Sequence, residues 1–204
     1  MKVKEQNIFL GLFLTSLLLE GLDAFSIFEI PLSWVGLVIL LTAIPLYYYF
    51  EVDFISKNII SIKFWVLYMC SVAILRGVSF DLEIPQYATT SYVQYVSLRL
   101  LKILSFFVAI WLVHLLSIKL TRRKLIEYVA YVGLFISLLS LYSYFSYFLE
   151  IPDFIRSRAG SGGWTQPIER ACSILRNYGT FREPSFLAVW TVPFIPLNFY
   201  LARE

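Results

Sequence analysis

The chain has 204 residues, of which 59% are hydrophobic, 18% aromatic and only 15% charged, with a formal net charge of +3. Soluble domains are about 45–50% apolar and about 25% charged, so this chain has too little polar surface to cover a water-facing globule; disorder and a collagen-like repeat are excluded with it. A mass of 23.7 kDa is one domain's worth of chain, and a mean hydropathy of +0.72 makes a bilayer the expected solvent.

A spanning helix needs about 20 mainly apolar residues. The first such stretch is Ile8–Phe25, whose uncharged part ends at Leu19, before Glu20 and Asp23. Ile30–Phe50 is the second, and Ile59–Leu75, with Lys63 near its start, the third. Leu98–Ile118 is the fourth, headed by Arg99 and Lys102. The fifth, Leu125–Leu149, is long and aromatic. Phe186–Leu201 is the sixth, with Pro193 and Pro196 inside it. All six are expected to be helical, because a lone spanning segment must satisfy its own backbone hydrogen bonds. The fold class is therefore all-α, a polytopic integral membrane bundle of about six helices. Lys2 and Lys4 before an apolar run resemble a signal peptide, but Glu20-Gly21-Leu22-Asp23 is no small-residue cleavage site. The first stretch reads as an uncleaved span.

Lysine and arginine placement sets orientation. With the N-terminus in the cytoplasm, the inner segments hold nine basic residues and the outer ones three, outside one long loop. The strongest anchor is Lys119-Leu-Thr-Arg-Arg-Lys124. The exception is the loop itself, residues 150–185. It carries Arg156, Arg158, Arg170, Arg176 and Arg182 and no lysine, and a loop of this length without evident secondary structure is commonly functional. Arginines on the outer side work against the positive-inside bias, and guanidinium grips phosphate in a two-pronged geometry that lysine lacks. Such a set suits a pyrophosphate on a lipid carrier. It equally suits pairing with Glu150, Asp153, Glu169 and Glu183, or with lipid headgroups.

The loop ends in Arg176-Asn-Tyr-Gly-Thr-Phe-Arg-Glu-Pro-Ser-Phe-Leu-Ala188. Thr180-Phe-Arg-Glu183 has the spacing of a capping box, but Pro184 and the extended preference of a pre-proline residue argue against it. Pro184 is better placed as the first helical residue, with Glu183 just outside. A helix N-terminus there attracts anions, so Arg176, Arg182 and that terminus are expected to converge beside Glu183.

The pattern Arg176-x-x-Gly179-Thr-Phe-x-Glu183-Pro184-Ser185-x-x-Ala188, after five spans and an outer loop, resembles the O-antigen polymerase and O-antigen ligase family of bacterial membrane glycosyltransferases. The resemblance implies an enzyme of the bacterial plasma membrane that polymerises or ligates undecaprenyl pyrophosphate-linked sugars in O-antigen, capsule or exopolysaccharide assembly. No cofactor or metal is implied. The partners implied are the bilayer, the lipid-linked glycan and other polysaccharide-assembly membrane proteins. It also implies that residues 1–204 are one membrane domain, the N-terminal half of a longer enzyme. In this reading Glu183 orients the acceptor or serves as base, and Arg176, Arg182, Arg156, Arg158, Arg170 and Arg99 hold the pyrophosphate. The alternatives are a non-catalytic membrane subunit needing a partner half and a small transporter.

Arg99 and Lys102 lie one turn apart at the head of the fourth span, where they either flank the pyrophosphate or snorkel to the interface. His114, the single histidine, sits near the inner end of that span, where packing or interfacial hydrogen bonding is expected. On the fifth span, Tyr128, Tyr131, Phe135, Tyr142 and Phe145 form one stripe, and Gly133, Ser137 and Ser140 another. Both read as bundle packing. Cys70 and Cys172 form neither a metal cluster nor a disulfide framework by spacing. There is no phosphate-binding loop, serine elbow or zinc helix motif, and no basic face interleaved with aromatics for nucleic acid.

Overall fold

A computed structural model describes residues 3–28, 30–50, 67–68, 71–72, 92–154, 168–171, 174–177, 179–181 and 184–203. Helices account for 80% of them. They are α1 (Val3–Glu20), α2 (Leu32–Leu41), α3 (Ala43–Tyr49), α4 (Tyr92–Lys119), α5 (Arg122–Leu149), α6 (Pro184–Thr191) and α7 (Phe194–Ala202). Two short antiparallel ribbons accompany them: β1 (Ser26–Ile27) with β2 (Ile30–Pro31), and β3 (Ile168–Ala171) with β4 (Ile174–Asn177). The β3–β4 ribbon lies in the stretch read from sequence as irregular.

Among the described residues, three segments are long and apolar enough to cross a bilayer: Leu32–Tyr49, Leu100–Ile118 and Arg122–Leu149. At 1.5 Å per residue the first is about 27 Å long and the last about 42 Å. Between 22% and 28% of each is buried within the protein, so most of their apolar surface faces outward, which suits hydrocarbon rather than water. The expected second span, Ile30–Phe50, contains the segment Leu32–Tyr49, which divides at Thr42 into α2 and α3. Pro45 has no N–H to give Leu41, and Thr42 instead donates its hydroxyl to the Ile39 carbonyl at 2.6 Å.

The first stretch stops sooner than expected. Helix α1 ends at Glu20, and a turn through Gly21–Ala24 leads into β1. The Gly21 backbone lies so close to Ile136 and Trp190 that a β-carbon there would overlap both side chains. Of the expected third span, only residues 67–68 and 71–72 are described. The sixth stretch divides at Val192–Pro193 into α6 and α7. Pro193 and Pro196 both lack a donor, and the Ile195 N–H takes the Val192 carbonyl at 3.2 Å in a tightened turn.

Helix α2 returns alongside α1. A β-carbon on Gly36 would stand 2.9 Å from the Ser16 carbonyl oxygen and 3.0 Å from Leu19 Cβ, so glycine permits the close crossing. Below that crossing Phe9, Phe13, Leu40, Ala43, Val108, Leu112, Leu115, Leu116 and Leu125 form the buried core. It gathers the basic end of the bundle, where α4 turns into α5 through Lys119–Lys124.

Helix α5 carries two faces of opposite fate. Ala130, Gly133, Ile136, Ser140, Ser143 and Ser146 are buried at helical spacing. The aromatic stripe expected to pack the bundle instead points out: Tyr128, Tyr131, Phe135, Tyr142 and Phe145 are 40–64% exposed. The reason is physical. Lipid tails are as apolar as side chains, so association of helices selects small residues that let them approach, and large apolar ones lose nothing by facing outward. Gly133 illustrates the approach, since the Phe194 ring of α7 occupies the space of its missing side chain. His114 lies on an exposed face of α4, and its carbonyl accepts the Ser117 hydroxyl at 2.8 Å.

Candidate functional site at the loop end of the bundle

Where α1 and α5 end and α6 begins, the chain makes a dense junction. Helix α5 closes at Glu150, which adopts a left-handed conformation at φ 54. The Ile151 N–H returns to the Ser146 carbonyl at 3.1 Å, satisfying an end carbonyl. The chain then doubles back along α5. Tyr142 donates its hydroxyl to the Pro152 carbonyl at 2.7 Å, and Ser143 donates to the Asp153 carboxylate at 3.2 Å. Phe154 stacks beside Tyr142 and edge-on to Phe25, at 5.1 and 6.1 Å between ring centres.

The motif residues Gly179-Thr180-Phe181 are buried in this junction. Gly179 is left-handed at φ 54, and Ser140 of α5 fills the place a side chain would take. Glycine is required there twice over, by conformation and by space. Thr180 is wholly buried. Its hydroxyl donates to the Gly21 carbonyl at 2.6 Å, and its own carbonyl accepts the Ala24 N–H at 3.0 Å. Phe181 packs on Trp190 of α6 at 5.6 Å, and Trp190 on Phe194 at 4.5 Å.

Helix α6 starts at Pro184, as the proline placement predicts. Thr180 spends its hydroxyl on Gly21, not on the start of α6, so Thr180–Glu183 is no capping box. The partner of Thr180 is 159 residues away in sequence, and no local pattern signals it.

The remaining site residues are placed unevenly. Arg182, Glu183, Arg156 and Arg158 lie outside the described residues. Arg176 is in β4, where the register pairs it with Glu169; Arg170 in β3 pairs with Leu175. Arg99 lies in α4, one turn before Lys102. Lys102 stands over the Trp34 ring at 5.3 Å.

Beside the junction is a cavity of about 290 Å³ between α1, α2, α4 and α6. Phe13, Leu37, Phe106 and Trp190 supply apolar wall, and Glu20 and Lys102 face it with opposite charge. Asp23 accepts a 2.8 Å hydrogen bond from Ser33 at the same end. These acidic groups went unassigned in the sequence because they close a helix in an otherwise apolar stretch. Among the described residues no three His, Cys, Asp or Glu side chains gather as metal ligands.

No family model, curated protein or solved structure matches this chain. The functional reading therefore stands on the residues and their geometry.

Proposed function

We propose that this chain belongs to the machinery that polymerises or ligates lipid-linked surface glycans in a bacterial plasma membrane. It crosses the bilayer six times with the N-terminus in the cytoplasm, and the loop of residues 150–185 is outside. An acceptor-sugar hydroxyl attacks the anomeric carbon of a sugar held on undecaprenyl pyrophosphate. The new glycosidic bond forms as the bond to the pyrophosphate oxygen breaks. Arg176 and Arg182, with Arg156, Arg158, Arg170 and Arg99 in support, offset the charge on the departing pyrophosphate by electrostatic preorganisation. Glu183 orients the hydroxyl and accepts its proton.

One observation carries the reading: the Gly179-Thr180-Phe181 half of the motif is a buried, hydrogen-bonded junction leading directly to a helix that begins at Pro184. The loop's end is held against the turn after α1 and against Ser140 of α5, which supports reading the motif as a built part of the fold. The basic run supports the orientation. Arg122, Arg123 and Lys124 occupy the first turn of α5, where the helix dipole disfavours cations, so their placement answers to the membrane and not to the helix. Arg123 is partly offset by an exposed 3.2 Å ion pair to Glu127.

A second reading, a non-catalytic membrane subunit, draws on the backbone register that sets Glu169 opposite Arg176. Deletion of the gene in its own host separates the two. The enzyme reading expects long surface glycans to collapse to short or unattached units and to return on complementation. Unchanged glycan ladders in the deletion strain would overturn it.

A further inference from the structure

We infer that the cavity between α1, α2, α4 and α6 is a lipid site, which seats the headgroup and the first chain segment of an amine-bearing zwitterionic phospholipid. Its lining is graded along three helices. Glu20 of α1, Ser33 of α2 and Lys102 of α4 line one end, and Phe13, Leu40 and Ala109 line it seven positions away on the same helices. Seven residues of helix cover about 10.5 Å, so each helix carries the lining from polar to apolar over that distance. The polar ends are level with one another. Ser33 donates to Asp23, in the turn just after Glu20, at 2.8 Å. The Lys102 ammonium stands 5.3 Å from the ring centre of Trp34, the residue after Ser33. Phe13 and Leu40 are buried, whereas Glu20 and Lys102 keep accessible surface. A charged mouth over an apolar floor is complementary to an amphiphile.

The charges choose the headgroup. Lys102 lies inside a segment apolar enough to span, where an ionisable group is costly unless it is paired or put to use. Among the described residues neither Glu20 nor Lys102 forms an ion pair. A ligand ammonium at Glu20 and a ligand phosphate at Lys102 satisfy both with charge-assisted hydrogen bonds. Asp23 adds a second carboxylate at the same end, which favours a ligand with an ammonium and disfavours one with negative charge alone, the lipid pyrophosphate included. The volume of about 290 Å³ is at the lower edge of ligand cavities, which start at about 300 Å³. It admits a head and the start of one chain, not a whole lipid. The rest of the chain has a way out past Phe106, a lining residue that is 61% exposed on a spanning segment. The occupant is therefore a lipid of the surrounding bilayer and not a soluble zwitterion.

The test uses the full chain, purified in detergent, stripped of lipid and mixed with palmitoyl-oleoyl phosphatidylethanolamine or with phosphatidylglycerol of the same chains. Lipid retained per protein is read by native mass spectrometry. Phosphatidylethanolamine is expected to stay bound, with a preference over phosphatidylglycerol of at least about tenfold, the effect of one charge-assisted hydrogen bond. Glu20→Gln should abolish the preference, Lys102→Gln should weaken retention of both lipids, and Ala109→Trp, which fills the floor, should remove it. If a variant does not accumulate, the native chain decides. Phosphatidylethanolamine with a photoreactive group near the top of one acyl chain should crosslink to peptides holding Phe13, Leu40 or Ala109, and the unlabelled lipid should compete. No retained lipid, equal retention of the two lipids, an unchanged preference in Glu20→Gln, or crosslinks confined to the outward face of α5 would overturn the proposal. Tighter binding of undecaprenyl pyrophosphate than of phosphatidylethanolamine at the same peptides would also overturn it and assign the cavity to the carrier.

Discussion

The ring of Phe194 lies against the backbone of α5 at Gly133, in the space a β-carbon would need. This contact seats the second half of the broken helix against one of the two 28-residue helices, and both residues are buried. It explains why a helix so rich in large aromatics keeps a glycine at its middle. Gly133→Ala should gain helix propensity of about 1 kcal/mol yet lose stability overall by about 1–3 kcal/mol through overpacking. Thermal melting in detergent would show the loss. Adding Phe194→Ala should recover part of it, whereas two independent sites would give additive losses.

A second prediction concerns Gly179. Its left-handed backbone costs a residue with a β-carbon about 1–2 kcal/mol, and the Ser140 side chain leaves no room for one. Gly179→Ala should therefore destabilise the protein by at least that amount. Ser140→Gly in the same chain relieves the overlap but not the conformation, so the double variant should regain only part of the stability. Full recovery would mean that space alone, and not φ, selects glycine here.

Much of the helical framework is written in the sequence as hydrophobic length and proline position. The end of α5 at Leu149 and the start of α6 at Pro184 follow from a sustained apolar run and from a residue that cannot donate, whereas α5 begins at Arg122, three residues before the apolar run. The break at Pro193 follows in the same way. The β3–β4 ribbon was not legible: its strands read Ile-Glu-Arg-Ala and Ile-Leu-Arg-Asn, and the Cys172-Ser173 link carries none of the glycine or asparagine that marks a tight hairpin. The outward face of Tyr131 and Phe135 is not legible from periodicity, which identifies a face but not its solvent; in a bilayer a large apolar face can turn to lipid. At the candidate site, the order of Gly179, Thr180 and Phe181 marked a motif. Its fixing point on Gly21 was invisible, because a hydrogen bond spanning 159 positions leaves no local trace.

The orientation is open to direct labelling. In a background with both native cysteines replaced by serine, a cysteine at Ser161 should react with a membrane-impermeant maleimide in intact cells. One at Thr121, in the basic turn between α4 and α5, should react only after permeabilisation. The reverse pattern would place the loop in the cytoplasm and remove the pyrophosphate reading with it.

The central claim, that the loop arginines grip a lipid-linked pyrophosphate, is tested most directly at Arg176. A charge-assisted hydrogen bond contributes about 1.5–3 kcal/mol, so loss of one prong of a bidentate grip should lower output roughly ten- to a hundredfold. Arg176→Lys keeps the charge and loses the fork, and it should impair polymer formation nearly as much as Arg176→Ala. The readout is chain length on gels of surface glycans, with membrane levels of each variant matched by blot and with Arg182→Ala run alongside. Normal glycans from the alanine variants of both Arg176 and Arg182, at equal protein levels, would contradict the account.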